Sequence, residues 1–291
     1  MPLIRNARLN QNNHYPLIIP SKHAWWPLHG NANSALTSLP NLTPASGATG
    51  NFTTQGFYTF PTANTTDIYN SGNSVNLDAV MTLIGAPIGT EIIVAQELQM
   101  NTPSGNGALW VYGQDNTTYG NIGVQCNSTR RLLFSWRGIG GSSNSYTWGS
   151  TAVFPSAGQH CAYVLSLRMI TATTAIARLY RRSEVDSGWE DGGDSTTIDL
   201  RAGGATANPG RNGLSGHAGL SIGGRPTSGW TAGGATTIGN YALLYGNGSG
   251  TGRLGNLCVA RFSSYDPNRI ITIANDLWNS KREFPKSMVA S

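Results

Sequence analysis

Residues Arg131-Leu-Leu-Phe-Ser-Trp-Arg137 decide the fold. In an extended chain successive side chains point to opposite faces, so Leu132, Phe134 and Trp136 share one face and Leu133, Ser135 and Arg137 the other. One side is built for a core and the other is mixed. Comparable short runs recur on both sides of it: AVMTLIGA (79–86), TEIIVAQELQM (90–100), GALWVYGQ (107–114), YGNIGVQCN (119–127), HCAYVLSLRM (160–169), TAIARLYRR (174–182), STTIDLRA (195–202), GLSIGGR (219–225), YALLYGNG (241–248) and GNLCVARFSSY (255–265). Each is bounded by Gly, Asn, Ser or Pro, which is how strands are punctuated. Many short antiparallel strands in one chain predict an all-β, two-sheet antiparallel β-sandwich.

Composition agrees. The 291 residues carry a net charge of +5, 39% hydrophobic and only 11% charged side chains, against about 25% charged in an average domain. That excludes a disordered chain, which needs low hydrophobicity and high net charge. Glycine, at 37 residues, supplies turns far better than helices. Cys126, Cys161 and Cys258 are odd in number and sit among apolar neighbours, so buried free thiols are expected rather than a disulfide framework or a metal site. The first thirty residues hold no apolar run of signal-peptide type, and no stretch approaches the length of a membrane span. Synthesis in a host cytoplasm and no membrane contact are expected. Most of the positive charge is Arg, Lys occurring only at Lys22, Lys281 and Lys286, and it is scattered along strands. A phosphate-tracking groove wants clustered basic residues, so protein partners are expected and nucleic acid is not.

The organisation divides into an extended N-terminal arm (1–24), a sandwich (25–284) and a tail (285–291). The periodicity changes once: Asp266 and Pro267 can open a helix in which Ile270, Ile273, Ala274, Leu277 and Trp278 recur at helical spacing. A C-terminal helix over about 267–281 packing on the sandwich is predicted.

The strings Ala177-Arg178-Leu179-Tyr180, Leu220-Ser221-Ile222-Gly223-Gly224 and Gly255-Asn256-Leu257-Cys258-Val259-Ala260-Arg261-Phe262, followed by that helix, resemble the laminin-G-like, concanavalin A-type jelly-roll domains, especially those of bacteriophage virion proteins. The opening LHGNANSALTSLPNLTPASG resembles the first strand and loop of that family. The resemblance implies a jelly roll whose members include carbohydrate binders, glycosidases and purely structural domains.

The residues leave three functions open. Catalysis would need paired carboxylates in one cleft, and the available string is Glu184, Asp186 and Glu190, interrupted by Ser187-Gly188 and read as a solvated hairpin. Asp191 and Asp194, with Asp199 nearby, offer hard oxygens for Ca²⁺ without a recognisable binding loop; no cofactor is expected. The loop aromatics Tyr146, Trp148, Trp189 and Trp230 are the candidates to stack on a sugar. His160 reads as a structural histidine. The reading that absorbs most features, together with the resemblance, is a non-enzymatic virion subunit, an accessory or decoration protein of the capsid or tail. It would assemble through Arg5, Arg8, Tyr15, Lys22, Lys281 and Arg282 with major capsid or tail proteins and with itself, as a trimer for example. The alternative is a lectin-like adhesion protein contacting host-surface glycans, and the second alternative a glycoside hydrolase.

Overall fold

The structure, a computed structural model, describes residues 22–26, 28, 39, 41–44, 51–52, 58–60, 69–70, 75–99, 107–113, 121–137, 143–154, 158–201, 219–223, 226–231, 234–238 and 252–279. In chain order the elements are β1 (Lys22–Trp26), β2 (Thr43–Pro44), β3 (Asn51–Phe52), β4 (Tyr58–Phe60), β5 (Tyr69–Asn70), α1 (Val75–Met81), β6 (Glu91–Gln99), β7 (Gly107–Gly113), β8 (Asn121–Cys126) and β9 (Leu132–Arg137). There follow β10 (Ser143–Thr147), β11 (His160–Met169), β12 (Thr174–Ser183), β13 (Glu190–Asp194), β14 (Ile198–Asp199), β15 (Leu220–Ile222), β16 (Pro226–Thr231), β17 (Gly234–Ile238), β18 (Gly252–Phe262) and α2 (Arg269–Asn279).

Two antiparallel sheets make the sandwich. The first runs β13-β12-β11-β6-β18-β4-β3, with β1 also on β18 and β14 on β12; the second runs β10-β9-β8-β7-β15-β5-β2. β16 and β17 form a separate hairpin. The expected all-β sandwich with a C-terminal helix is what the chain builds. Of the expected arm, 1–21 lie outside the described residues and 22–24 open β1, whose Trp25 pairs with Cys258.

The main core lies between the sheets, where Val94, Leu98, Trp110, Tyr112, Phe134, Tyr163 and Leu165 are all buried. The first sheet is buried on its outer face as well. There Ile93, Ala95, Ala162, Val164, Cys258 and Trp25 meet Ile270, Ile273, Ala274, Leu277 and Trp278 of α2. This is why β6 and β11 are buried at nearly every residue, whereas β12, buried on every second residue, alternates cleanly. Ile270, Ile273 and Leu277 each contribute roughly 1.5–3 kcal/mol of gross burial, so the helical stripe seen in the sequence is the adhesive of this second layer.

An ion pair fixes where α2 starts. Glu91 on β6 is fully buried, and its carboxylate accepts from Arg269 Nη1 at 2.6 Å and from Ser166 Oγ at 2.5 Å. The Asp266 side chain caps the preceding turn, its Oδ1 accepting the Asn268 N–H at 2.9 Å. The helix therefore opens at Arg269, two residues after the Pro267 expected from sequence.

One expected strand is corrected. AVMTLIGA (79–86) is not extended: its first residues close α1 and the rest forms turns. Leu77, Val80 and Met81 are buried at helical spacing, and a short apolar run cannot by itself distinguish a strand from a buried helix. Arg261 on β18 donates to the Val80 and Thr82 carbonyls, satisfying acceptors that a helix C-terminus leaves open. STTIDLRA contributes only Ile198–Asp199 to the sheet, and YALLYGNG lies outside the described residues.

Candidate functional site

The outward face of β8, β9 and β10 carries three cross-strand rungs. Register places Asn121, Arg137 and Ser143 on the first, Gly123, Ser135 and Ser145 on the second, and Gln125, Leu133 and Thr147 on the third. The alternate residues Ile122, Val124, Phe134 and Tyr146 face the core. Because the middle rung is glycine and two serines while its neighbours are larger, the face is hollow at its centre. Gly123 has no substitute there: a Cβ would lie 2.5 Å from the Trp110 carbonyl oxygen and 3.0 Å from Val111 Cγ2, so the close approach of β7 and β8 enforces the missing side chain.

The hollow is a cavity of about 190 Å³ lined by Asn121, Gln125, Ser135, Trp136, Ser143, Asn144 and Ser145. None of these is charged. Asn121 and Ser135 are buried in its floor, while Ser143 and Ser145 stand exposed at its rim. Gln125 Nε2 donates to Ser135 Oγ at 3.0 Å, which holds these two side chains in place; the Trp136 indole lies on the core side of β9 and reaches the first sheet, its Nε1 donating to the Asp199 carbonyl at 2.9 Å. Amides and hydroxyls both donate and accept, which suits a polyhydroxylated ligand and leaves no group in the lining able to act as a strong acid or base.

The aromatic candidates fall elsewhere. Trp148, read from sequence as a sugar platform, is instead core: it is 6% exposed and its Nε1 donates to the Gly193 carbonyl at 3.0 Å. Its ring occupies the space of an absent Cβ at Gly192, 2.9 Å away. Tyr146 packs against it edge-on, ring centroids 5.1 Å apart. Trp189 is half-buried and meets Trp278 edge-on at 6.1 Å. Trp230 belongs to β16, its side chain outside the described residues.

The acidic candidates are tied to arginines. Asp186 accepts from Arg181 Nη1 at 2.6 Å and from the Ser183 N–H at 2.7 Å and Oγ at 2.8 Å, which fastens the turn after β12. Glu184 is exposed in that turn and Glu190 on the edge strand β13, so the three do not share a cleft. Asp191 receives Arg178 at 2.5 Å and Asp194 receives Arg168 at 2.9 Å. Burial pushes the Asp191 carboxyl up, but Arg178, the Gly193 N–H and Tyr180 outweigh it and hold the group below its ordinary value. Among the described residues no three His, Cys, Asp or Glu converge as metal ligands. Arg5, Arg8, Tyr15, Lys281 and Arg282 lie outside the described residues, as does the Lys22 side chain.

His160 is buried, its Nε2 3.6 Å from Glu97 Oε1 and its ring stacked on Trp278 at 5.3 Å. Asn256 Nδ2 donates to Glu97 Oε2 at 2.8 Å and Asn256 Oδ1 accepts the Trp25 indole N–H at 3.0 Å. This polar cluster sits under α2, closed to a substrate. Cys126, Cys161 and Cys258 are free and buried.

The chain matches no protein-family model and no curated protein sequence. Solved structures do resemble it. A structure of botulinum neurotoxin type C, which depends on interaction with two ganglioside molecules to enter cells, superposes with a TM-score of 0.51 at 6% identity, over 89% of this chain and 51% of that one. The binding domain of botulinum neurotoxin serotype C1 gives 0.50 at 8% identity, over 86% and 50%. The chain thus spans about half the length of these neighbours. At such identities the likeness is one of fold alone, and it fixes the chain as a jelly-roll-like β-sandwich of the kind found in these binding domains; neither neighbour is a virion protein.

Proposed function

We propose that this chain is a non-enzymatic carbohydrate-binding module that uses the pocket on β8–β10 to hold a glycan of a host surface. The observation that carries the reading is the pocket itself: about 190 Å³ on a sheet face, lined mainly by amides and hydroxyls. Such a lining exchanges hydrogen bonds with water for hydrogen bonds with sugar hydroxyls, and its buried floor is held ready by the Gln125–Ser135 contact. Binding without chemistry fits a lining that has no carboxylate. The likeness to toxin binding domains supports a sandwich that serves recognition, without naming a ligand. The virion reading, which rests on the resemblance, the composition and the basic terminal segments, draws no support from the comparisons.

The test is a glycan array followed by calorimetric titration of any sugar retained. Ser145→Trp, at an exposed rim position, fills the hollow and abolishes binding while leaving the melting temperature within a few degrees of wild type. Undiminished binding by the folded variant overturns the assignment.

A further inference from the structure

We infer that the floor of the pocket reads a hydrogen-bond donor, so that Ser135 and Gln125 select a neutral sugar through a hydroxyl that donates to them; this rests on the carbohydrate reading above. Ser135 stands at the centre of the hollow, opposite Gly123 on one side and Ser145 on the other. Gly123 has no side chain to cover it, and Gln125, two residues further along β8, shares the lining with it. Ser135 is buried and Gln125 half-buried.

The direction of the bonds decides what is left for a ligand. Ser135 Oγ donates to the Gly123 carbonyl at 3.5 Å and accepts from Gln125 Nε2 at 3.0 Å. These are the side-chain hydrogen bonds of Gln125 and Ser135 among the described residues. A carbonyl can only accept, so the serine hydrogen is committed to Gly123, and Gln125 must then present its nitrogen and not its oxygen to the serine. A glutamine amide carries two N–H donors and an oxygen with two lone pairs, and a serine hydroxyl carries one donor and two lone pairs. What remains is one N–H against three lone pairs, two on Gln125 Oε1 and one on Ser135 Oγ. The floor is rich in acceptors and short of donors, and the backbone at Gly123 sets that polarity before a ligand arrives.

A group that only accepts meets the wrong partner here. A carboxylate or sulfate oxygen would face lone pairs, and among the described residues no cation lines the cavity to offset them. A sugar hydroxyl donates its hydrogen to the floor and accepts from the remaining amide N–H or from Ser145, whose hydroxyl stands exposed at the rim opposite Ser135. A buried acceptor deprived of its partner costs more than the bond itself contributes, so an analogue without that hydrogen is rejected.

The experiment is ligand-observed NMR titration of the whole chain with the methyl glycosides of glucose, galactose, mannose and N-acetylglucosamine, each against its monodeoxyfluoro derivatives. Fluorine is close to a hydroxyl in size but has no hydrogen to donate. For a parent glycoside that binds, fluorination at one ring position is expected to weaken binding about tenfold or more, and at the others less. Ser135→Ala and, separately, Gln125→Met are expected to weaken the parent and to erase its advantage over that fluoro derivative, at a melting temperature within a few degrees of wild type. A role confined to holding the strands together would lower both sugars alike and keep their ratio. A folded variant that keeps the ratio overturns the donor reading. So does a wild type that binds every fluoro derivative as tightly as its parent while Ser145→Trp abolishes both, and in that case the carbohydrate site stands. No binding of any parent glycoside by wild type overturns both.

Discussion

Replacing Arg269 with alanine removes the ion pair that closes α2 onto the first sheet, together with a hydrogen bond to the Ser264 carbonyl and a contact over the Phe262 ring. Glu91 is fully buried and has Arg269 as its counter-charge at 2.6 Å. Burial pushes its carboxyl above the ordinary value of 4.5, against the opposing pull of Ser166, Arg269 and the Asp266 backbone. Without the guanidinium an ionised carboxylate is left buried and uncompensated, which costs about 3–5 kcal/mol. The pH dependence has a definite sign. A raised folded value means that the folded state holds the proton more tightly than the unfolded chain, so this group's contribution is complete below 4.5 and is lost as pH rises through the folded value. Arg269→Ala lifts that value further and enlarges the loss. Urea unfolding at about pH 7.5 and about pH 5 reads the difference: the gap between wild type and variant narrows on acidification, by up to about 1.4 kcal/mol per pH unit within the window. A gap below about 1 kcal/mol at the higher pH, or one that does not change with pH, refutes the argument.

Other substitutions test the remaining contacts. Leu277→Ala, which hollows the layer between α2 and the first sheet, is expected to cost about 2–5 kcal/mol, seen as a lower urea midpoint at unchanged slope. Gly192→Ala forces a Cβ to within 2.9 Å of the Trp148 ring and is expected to destabilise by about 1–3 kcal/mol with loss of tryptophan near-UV circular dichroism; an unchanged spectrum and midpoint speak against the packing of Trp148 under β13. Burial pushes the Cys258 thiol up to about 12 and raises Cys126 and Cys161 as well, so iodoacetamide at about pH 8 is expected to label none of the three in the folded chain and all three in urea.

How far the sequence could be read depended on how local the determining contacts are. The alternation in 131–137 and the helical stripe Ile270, Ile273, Ala274, Leu277 and Trp278 are local patterns, and both elements form within two residues of the expected bounds. Leu77, Val80 and Met81 form an equally local stripe, but it is one turn long and merges with the apolar run that follows, so it was read as a strand. Trp148 could not be placed from its surroundings, because what buries it is Gly192-Gly193, more than forty residues away on β13. The pocket needed register. Asn121, Gln125, Ser135, Ser143 and Ser145 gather only when three strands are aligned to the residue, and a slip of one would send each to the core face. The local trace of the site was Gly123, a glycine inside a strand flanked at alternate positions by Asn121 and Gln125. A glycine there signals close backbone approach, which is what floors the cavity.

The first sheet, enclosed between the second sheet and α2, has a consequence for how such a molecule can change. Residues that hold β6, β11 and β18 together are constrained from both sides, and substitutions there are selected against through stability. The rim positions Ser143 and Ser145 stand exposed and answer to only one side, beside the fixed point of Gly123. Drift can rewrite those positions while the foundation stays intact, so that descendants of this chain would diverge first in what they hold and last in how they fold.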